Sequence, residues 1–342
     1  MSSKTVLRSL GYERYVIGSK LSYLKPIQTK SHQSFADEIS HGLKQEPKSI
    51  NPKFFYDEKG SELFEKICRL PEYYLTRTEI GILKKLNKDF TEHFSDEIRL
   101  VELGSGSSNK TRLLLDILYS IQDKIEYFPI DISEIIKESS KELQEDYDNL
   151  HITSIIDTYE RGLEFIKNFD SGQNLIAFLG SSFGNFCPAE GLEFLHKINS
   201  TMKESDLFLI GLDLIKEKKI LEDAYDDSQG VTAQFNLNVL SRINNELDGD
   251  FDLSNFVHHA KYNEEKQRIE MYLRSVKKQS VSIHKANLSL NFEKDELIHT
   301  ENSYKYSIPQ IKQMLHSTNF KIHNIWQDQN QQYVLVLASK LE

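Results

Sequence analysis

Two glycines between a short apolar run and a helical pattern are the residues whose spacing most clearly indicates chemistry. The β-rich run over residues 98–103 leads directly into Gly104 and Gly106, and the next apolar run ends at Asp131. Glycine lets a ligand approach the backbone and accepts positive φ where the chain turns sharply. A carboxylate at the end of the following strand can accept hydrogen bonds from both hydroxyls of a ribose. This layout predicts a nucleotide-binding site.

The residue at the third position of the glycine motif separates two kinds of nucleotide site. A dinucleotide fingerprint has a third glycine where this chain has Asn109. A pyrophosphate-binding turn, and with it a nicotinamide-dependent oxidoreductase, is therefore disfavoured. A Glu-x-Gly-x-Gly turn beginning at Glu102 looks more like a site for S-adenosylmethionine (SAM), whose sulfonium and amino-acid tail replace the phosphates. The alternative is a plain strand-to-helix turn, with Asp131 capping a helix that begins near Ser133.

The composition of the chain disfavours several other function classes. The formal net charge is −10 and no block of basic residues could follow a phosphate backbone, so nucleic acid is not an expected partner. No apolar run has membrane-spanning length and the N-terminus lacks a signal-peptide core, so we expect a cytoplasmic protein with no membrane partner. Cys68 and Cys187 stand in no ligand pattern, so neither a disulfide nor a metal site is expected.

The spacing of apolar residues along the chain predicts two kinds of structure. From about residue 99 to 214, short β-rich runs alternate with helical patterns, which is typical of a parallel sheet covered by helices. From about residue 216 to 305, helical patterns precede runs with a two-residue period, which is typical of antiparallel strands. The βα pattern then returns, so the middle segment is predicted to be an insertion.

The N-terminal part carries weaker signals. Thr76 and Glu79 match a capping box, which predicts a helix from Thr76 toward Leu86. Residues 1–24 show little pattern and are predicted to form a loosely held extension.

A series of short motifs resembles the histidine-specific Nα-methyltransferases that make hercynine, the first step toward ergothioneine. The motifs follow in order from residue 52 to the C-terminus, and together they are more specific than a single glycine turn. They are KFFYD (53–57), GS (60–61), LPEYY (70–74), TRTE (76–79), VELGSG (101–106), FLGS (178–181), GN (184–185), AYDD (224–227), GVT (230–232) and RIEM (268–271).

The resemblance implies an α/β fold with two domains. A Rossmann-like class I SAM-dependent methyltransferase domain would comprise residues 79–215 and 306–342. A second, α+β substrate-binding domain would combine an N-terminal segment, 25–78, with the internal insertion, 216–305. The implied activity is successive Nα-methylation of L-histidine to hercynine, with S-adenosylhomocysteine as the second product and no metal. L-Histidine is the expected partner, and a monomer is expected.

The same resemblance assigns cofactor residues. It places SAM at Gly104, Ser105, Lys110, Asp131 and Asp157, with Asp157 near the adenine amine. The alternative for Asp157 is a solvated acid at a strand end. Three aromatic residues from the N-terminal segment would close over the site, and they are Tyr56, Phe64 (assigned to the cofactor) and Tyr73 (assigned to the substrate).

The substrate residues are assigned in the same way. The resemblance gives Asn185 and Tyr225 to the substrate carboxylate, and gives Asn185, the Gly180 carbonyl and Tyr56 to the α-amine, so Tyr56 and Asn185 are the expected catalytic residues. Asn185 follows a predicted strand end, where open α/β sheets bind ligands. The alternatives are a turn-forming asparagine at 185 and an exposed helical tyrosine at 225.

Glu301 and Ser303 carry the expected specificity. Two residues apart on an extended segment, they project to one face and can hydrogen-bond a single imidazole together. The family uses this pair to recognise histidine, and Met271 would line the same pocket, although an isolated methionine is by default a core residue. The alternative is an exposed polar pair on an edge strand. Two other functions stay open, namely N-methylation of another aromatic amino acid such as tryptophan, and SAM binding without catalysis.

Overall fold

The structure is a computed structural model, and it describes residues 3–7, 10–27, 34–86, 88–95, 97–106, 108–168 and 172–341. Over these residues the strands are β1 Ser3–Leu7, β2 Tyr12–Val16, β3 Leu21–Pro26, β4 Lys48–Ser49, β5 Ile98–Leu103, β6 Ile125–Asp131, β7 Leu150–Ile156, β8 Gln173–Phe178, β9 Leu207–Asp213, β10 Phe256–Asn263, β11 Arg268–Ser275, β12 Gln279–Ile283, β13 Leu288–Phe292, β14 Leu297–Tyr304, β15 Phe320–Gln327 and β16 Tyr333–Lys340. The α-helices are α1 Phe35–Lys44, α2 Glu58–Ile67, α3 Tyr74–Leu83, α4 Lys88–Thr91, α5 Asn109–Tyr119, α6 Ile136–Asp146, α7 Tyr159–Ile166, α8 Pro188–Thr201, α9 Lys218–Tyr225, α10 Val231–Leu247 and α11 Ile308–Ser317. None of these helices is long and apolar enough to cross a membrane.

The chain divides into two compact units. The first unit comprises Met1–Gln28, Arg77–Leu214 and Tyr306–Glu342, and the second comprises Thr29–Thr76 and Ile215–Lys305. The second unit is thus assembled from two separate stretches of chain. The boundaries differ from the expected ones mainly in the first 28 residues, which belong to the first unit.

The first unit is an α/β fold built on one large sheet. Its strand order is β1-β2-β3-β7-β6-β5-β8-β9-β16-β15. The strands from β7 to β9 are parallel, whereas β16 runs antiparallel to β9. Every residue of β5, β8 and β9 is buried, as expected for strands covered on both faces by helices. The order is Rossmann-like, which confirms the predicted fold class.

The strand order creates a switch point between β5 and β8. From β5 the chain moves to β6 and β7 on one side and then returns to place β8 on the other side. Ligands of open α/β sheets bind in the crevice that such a reversal leaves outside the carboxyl ends of the strands. The glycine turn follows β5, and Gly180 follows β8, so both lie at this crevice.

The predicted N-terminal extension is wrong. β2 pairs antiparallel with β3, and β3 pairs parallel with β7, so these strands extend the large sheet. Leu21 and Leu24 of β3 are buried, and so is Tyr12 of β2. The short strands carry too few residues for a clear alternating pattern, and the edge of β7 supplies the missing partner.

The second unit is an α+β structure. Its sheet has the order β10-β11-β14-β4, and β12 and β13 form a separate hairpin. Helix α10 packs against α2 and against β10. The insertion contains antiparallel strands, as its two-residue period predicted.

Candidate functional site

The glycine turn has the backbone that a close ligand requires. Gly104 and Gly106 have φ of +73° and +50°, and Ser108 has φ of +62° just before α5 begins. A Cβ at Gly104 would lie 2.8 Å from the hydroxyl of Tyr159, so only glycine fits there without movement. Ser107, within the same run, lies outside the described residues. The backbone therefore fits the close approach of a cofactor, and Ser105 is buried in the turn.

Asp131 ends β6 at the same edge of the sheet. Its Oδ1 accepts a hydrogen bond from the Ser133 backbone N–H at 2.8 Å, and helix α6 begins only at Ile136. The alternative that Asp131 caps this helix is therefore wrong. Burial raises the pKa of Asp131 to about 6. This half-buried carboxylate can accept further hydrogen bonds, which the hydroxyls of a ribose would supply.

Asp157 is held by residues that the sequence did not indicate. Its Oδ2 accepts from the Tyr12 hydroxyl at 2.8 Å and lies 3.1 Å from Arg161 Nε, while Oδ1 accepts from the Thr158 N–H. The side chain is only 4% exposed, so the alternative of a solvated acid is wrong. Tyr12 comes from β2, so the N-terminal strands contribute directly to the surroundings of a predicted cofactor residue.

Glu79 is the main residue of the first unit that sequence reasoning misassigned. Helix α3 begins at Tyr74, before the predicted start, and Glu79 lies inside it with no exposed surface. Its carboxylate accepts from the Gly180 N–H at 2.9 and 3.0 Å, from Lys110 Nζ at 2.9 Å and from the Tyr333 hydroxyl at 2.8 Å. Four long-range contacts replace the local capping box, because they satisfy a carboxylate that is buried.

The same carboxylate links the ends of β5 and β8. Gly180 and Ser181 both have left-handed backbone, with φ of +78° and +58°. A Cβ at Gly180 would lie 2.9 Å from Lys110 Nζ, which shows how closely this turn approaches the lysine. Asn185 follows at the end of the 3-10 turn Ser182–Asn185 and is half-buried. The structure thus brings Lys110 and Gly180 together at the switch point.

In the second unit, Glu301 and Ser303 lie on β14, next to a bulge in that strand. Met271 of β11 pairs with Glu301 and Ile269 pairs with Ser303, and the register shifts beyond Met271 so that Thr300 is the extra residue. Glu301 and Ser303 are 7% and 2% exposed. β14 lies between β11 and β4. The alternative of an exposed pair on an edge strand is therefore wrong.

Tyr225 joins this pair from the end of α9. Its hydroxyl lies 2.8 Å from Ser303 Oγ, and its side chain is buried, so the alternative of an exposed tyrosine is wrong. His258 Nε2 lies 2.8 Å from the Tyr225 carbonyl, to which it donates. Lys305, 1% exposed, donates from Nζ to Ser303 Oγ at 2.9 Å and to Tyr225 Oη at 3.1 Å. Lys305 belongs to none of the sequence motifs, although its spacing continues the Glu301-x-Ser303 alternation.

Burial dominates the electrostatics of Glu301. It raises the pKa of this carboxyl to about 7, while the positive charge of Lys305 acts in the opposite direction. Met271, 2% exposed, is opposite Glu301 in the sheet. A carboxylate in such surroundings needs an N–H donor, which an imidazole can provide.

Aromatic side chains form a continuous wall in the second unit. Tyr56 packs edge-on against Phe64, both contact Phe235, and Phe64 continues to Tyr73. Tyr73 in turn lies 6.1 Å from Tyr225, between ring centroids. Burial raises the pKa of the Tyr73 hydroxyl well above its ordinary value, so it stays neutral. Phe235, on α10, is a member of this wall that the sequence motifs did not reveal.

The predicted site residues thus fall into two groups, one in each unit. The first unit holds Gly104, Ser105, Lys110, Asp131, Asp157, Gly180 and Asn185, and the second holds Tyr56, Phe64, Tyr73, Tyr225, Met271, Glu301 and Ser303. Within the described ranges, no three or more His, Cys, Asp or Glu side chains are grouped so that they could hold a metal ion.

Comparison with known proteins identifies the family. Residues 35–340 match the family model "Histidine-specific methyltransferase, SAM-dependent". The chain is 38% identical over 310 residues to a histidine N-alpha-methyltransferase of Mycobacterium tuberculosis, which covers 90% of this chain and 96% of that protein. It is also 38% identical over 302 residues to the protein of that name from Mycolicibacterium smegmatis, with 88% and 93% covered. Among solved structures, a SAM-dependent methyltransferase from Clostridium acetobutylicum aligns with a TM-score of 0.40 at 12% identity, over 84% of this chain and 93% of that one. Since the family model covers most of its length, the chain belongs to the SAM-dependent histidine-specific methyltransferases.

Proposed function

We propose that this enzyme transfers methyl groups from SAM to the α-nitrogen of L-histidine, three times in succession, to form hercynine in ergothioneine biosynthesis. The observation that carries the proposal is the buried pair Glu301 and Ser303 on one face of β14. A carboxylate and a hydroxyl together match the N–H and the bare nitrogen of a neutral imidazole. An apolar ring would leave Glu301 buried without a donor, which is costly.

The remaining substrate assignments follow the resemblance and the chemistry of an amino acid. Asn185 and Tyr225 would bind the carboxylate, and Asn185, the Gly180 carbonyl and Tyr56 would orient the α-amine. The Glu79 carboxylate holds the Gly180 N–H, which restrains this turn and its carbonyl. SAM, when bound, supplies an activated methyl group on a sulfonium. We assign it to the glycine turn, to Lys110 and to the acids Asp131 and Asp157, with Phe64 as an aromatic neighbour.

The residues of the site must align the substrate nitrogen with the methyl group and accept protons from that nitrogen. In each transfer the nitrogen lone pair forms a bond to the methyl carbon as the carbon–sulfur bond breaks, and the nitrogen then loses a proton before the next transfer. An α-amino group titrates near pH 8 in peptides and higher in a free amino acid, so the site must accept a proton from the substrate. Tyr56 and water would accept the protons. The final product is a fixed cation, which the face of an aromatic ring such as Tyr56 favours.

Mass spectrometry of an amino-acid mixture tests the proposal. The protein is incubated with SAM and equimolar common amino acids, and we expect a gain of three methyl groups on histidine alone. Methylation of tryptophan or another amino acid would contradict the assignment of Glu301 and Ser303. Cofactor binding without any methylation would favour a non-catalytic protein.

Two variants make this experiment more specific. Glu301→Gln should lose preference for histidine, whereas Glu296→Gln, which removes a partly exposed acid paired with Lys48, should retain it. Tyr56→Phe should increase the proportion of mono- and dimethylated histidine relative to hercynine. An unchanged product ratio would exclude the Tyr56 hydroxyl from proton transfer.

A further inference from the structure

The side chain of Tyr159 presents its hydroxyl to the glycine turn. Tyr159 begins α7, and its ring packs edge-on against Phe178, with 5.5 Å between ring centroids, and at a tilt against Phe194, with 6.0 Å. Both phenylalanines are buried, so they hold the ring in place. A Cβ at Gly104 would lie 2.8 Å from the hydroxyl oxygen but 3.7 Å from the ring carbon that carries it. The hydroxyl is therefore the part of Tyr159 nearest the turn.

This hydroxyl has no hydrogen-bond partner among the residues that the structure describes. Tyrosine hydroxyls in buried surroundings usually find a partner, because leaving one unpaired costs free energy. Tyr159 as a whole is half-buried, so it is not sealed within the core. Burial raises the pKa of its hydroxyl well above the ordinary value, and the charge of Asp131 acts in the same direction. The group therefore stays protonated and is available as a donor.

Backbone hydrogen bonds place this hydroxyl among the predicted cofactor residues. The Gly104 N–H donates to the Ile130 carbonyl at 2.9 Å, and the Asp157 N–H donates to the Asp131 carbonyl at 3.1 Å. The ends of the neighbouring strands β5, β6 and β7 are thus joined at one edge of the sheet. Tyr159 follows the end of β7, yet its hydroxyl reaches the turn after β5. Its side chain therefore spans the end of β6, where Asp131 lies.

We propose that Tyr159 is a cofactor-binding residue whose hydroxyl donates a hydrogen bond to a hydroxyl oxygen of the SAM ribose. The inference rests on the placement of SAM in the proposed function, with the ribose at Asp131. An ionised carboxylate can only accept, so Asp131 would take the hydrogens of the ribose hydroxyls and leave their oxygens as acceptors. A neutral donor beside Asp131 complements those oxygens. Tyr159 lies outside all the motifs that indicate the family, so the resemblance assigns it no role.

Calorimetric titration of Tyr159→Phe with SAM and with S-adenosylhomocysteine tests the proposal. Phenylalanine keeps the ring against Phe178 and Phe194 and removes only the hydroxyl. We expect Kd to rise by about three- to tenfold for each ligand, the range for one neutral hydrogen bond, because both ligands carry the same ribose. The 2′-deoxy and 3′-deoxy forms of S-adenosylhomocysteine locate the contact. With the form that lacks the accepting oxygen, the wild type and Tyr159→Phe should bind equally.

Tyr119→Phe is the matched control for loss of a hydroxyl. The Tyr119 hydroxyl is also without a hydrogen-bond partner in the described part of the chain, but it lies at the opposite end of α5 from the glycine turn. Its removal should leave Kd unchanged for both SAM and S-adenosylhomocysteine.

Gly104→Ala tests the position of the Tyr159 hydroxyl without any cofactor. Gly104 has φ of +73°, so an alanine is strained there in any background, but its methyl group meets the hydroxyl only where Tyr159 is intact. Gly104→Ala should therefore lower the midpoint of urea unfolding more in the wild type than in Tyr159→Phe. The same denaturation curves verify that each variant is folded.

Several results would overturn the inference. An unchanged Kd for both ligands would leave Tyr159 with only a packing role, and tighter binding by Tyr159→Phe would mean that the hydroxyl obstructs the cofactor. A loss for SAM alone, or a difference that persists with both deoxy forms, would move the contact away from the ribose hydroxyls. Equal effects of Gly104→Ala in the two backgrounds would show that the hydroxyl does not face the turn. Failure of the proposed cofactor site is distinct, because the wild type itself would then bind neither ligand.

Discussion

Replacing Glu79 with glutamine tests whether its buried carboxylate holds the switch point of the first unit together. The carboxylate is fully buried and accepts from Lys110, Gly180 and Tyr333, while the Lys110 side chain is 23% exposed. Breaking a fully buried ion pair costs about 3–5 kcal/mol. Lys110 is partly exposed and glutamine retains an acceptor oxygen, so the cost should be smaller here. We expect Glu79→Gln to lower the free energy of unfolding by about 2–3 kcal/mol.

Urea denaturation followed by tryptophan fluorescence measures this cost. The only tryptophan of the chain, Trp326, lies on β15 in the first unit and contacts Phe90, so it reports unfolding of the unit that contains Glu79. Tyr333→Phe removes one neutral donor to the carboxylate and should cost about 1–2 kcal/mol. Tyr23→Phe, which removes a longer bond of 3.2 Å to a backbone carbonyl, should cost less than about 1 kcal/mol.

The ranking of the variants decides the outcome. We expect Glu79→Gln to be the most destabilised, followed by Tyr333→Phe and then Tyr23→Phe. The effects of Glu79→Gln and Tyr333→Phe should also be non-additive, because the two side chains share one hydrogen bond. A loss below about 0.5 kcal/mol for Glu79→Gln, the usual size for a surface substitution, would refute the reasoning.

Three further predictions concern other parts of the molecule. A Cβ at Gly211 would lie 2.1 Å from the buried Glu79 carboxylate, so Gly211→Ala should lower the free energy of unfolding in urea by about 1–3 kcal/mol. As a control, Gly81→Ala should be neutral or stabilising, because the space around the added Cβ is open. Tyr12→Phe removes a donor from Asp157 and should weaken SAM binding about three- to tenfold by calorimetry, and unchanged affinity would exclude Tyr12 from the cofactor site. Burial raises the pKa of Glu301 to about 7, so the folded wild type keeps a proton that the unfolded chain loses at lower pH. The wild type therefore loses stability as pH rises from about 5 to about 7, and Glu301→Gln should gain stability relative to it over that range. A constant difference between these two proteins across that range would contradict the last prediction.

Much of the first unit was predictable from local patterns. Central parallel strands are buried on both faces, so they appear as continuous apolar runs whose positions the sequence reveals. The glycine turn follows from backbone conformations that only glycine adopts easily, and it lies where the pattern placed it. In the second unit, two-residue periodicity was enough to place Glu301 and Ser303 on one face.

Other features depended on contacts that no local pattern contains. The spacing of Thr76 and Glu79 is typical of a capping box, but partners at residues 110, 180 and 333 bind the carboxylate instead. The N-terminal strands form because β7 offers a free edge, and short strands have little preference of their own.

The sequence alone determined the family, the alternation of the sheet and the residue types that chemistry requires, because these depend on local spacing. Only the tertiary structure decided which polar groups are buried together. Burial raises the pKa of Glu301, and contacts with Ser303 and Tyr225 position Lys305. These properties arise when distant segments exclude water around the same atoms, so they cannot be obtained from residue order alone.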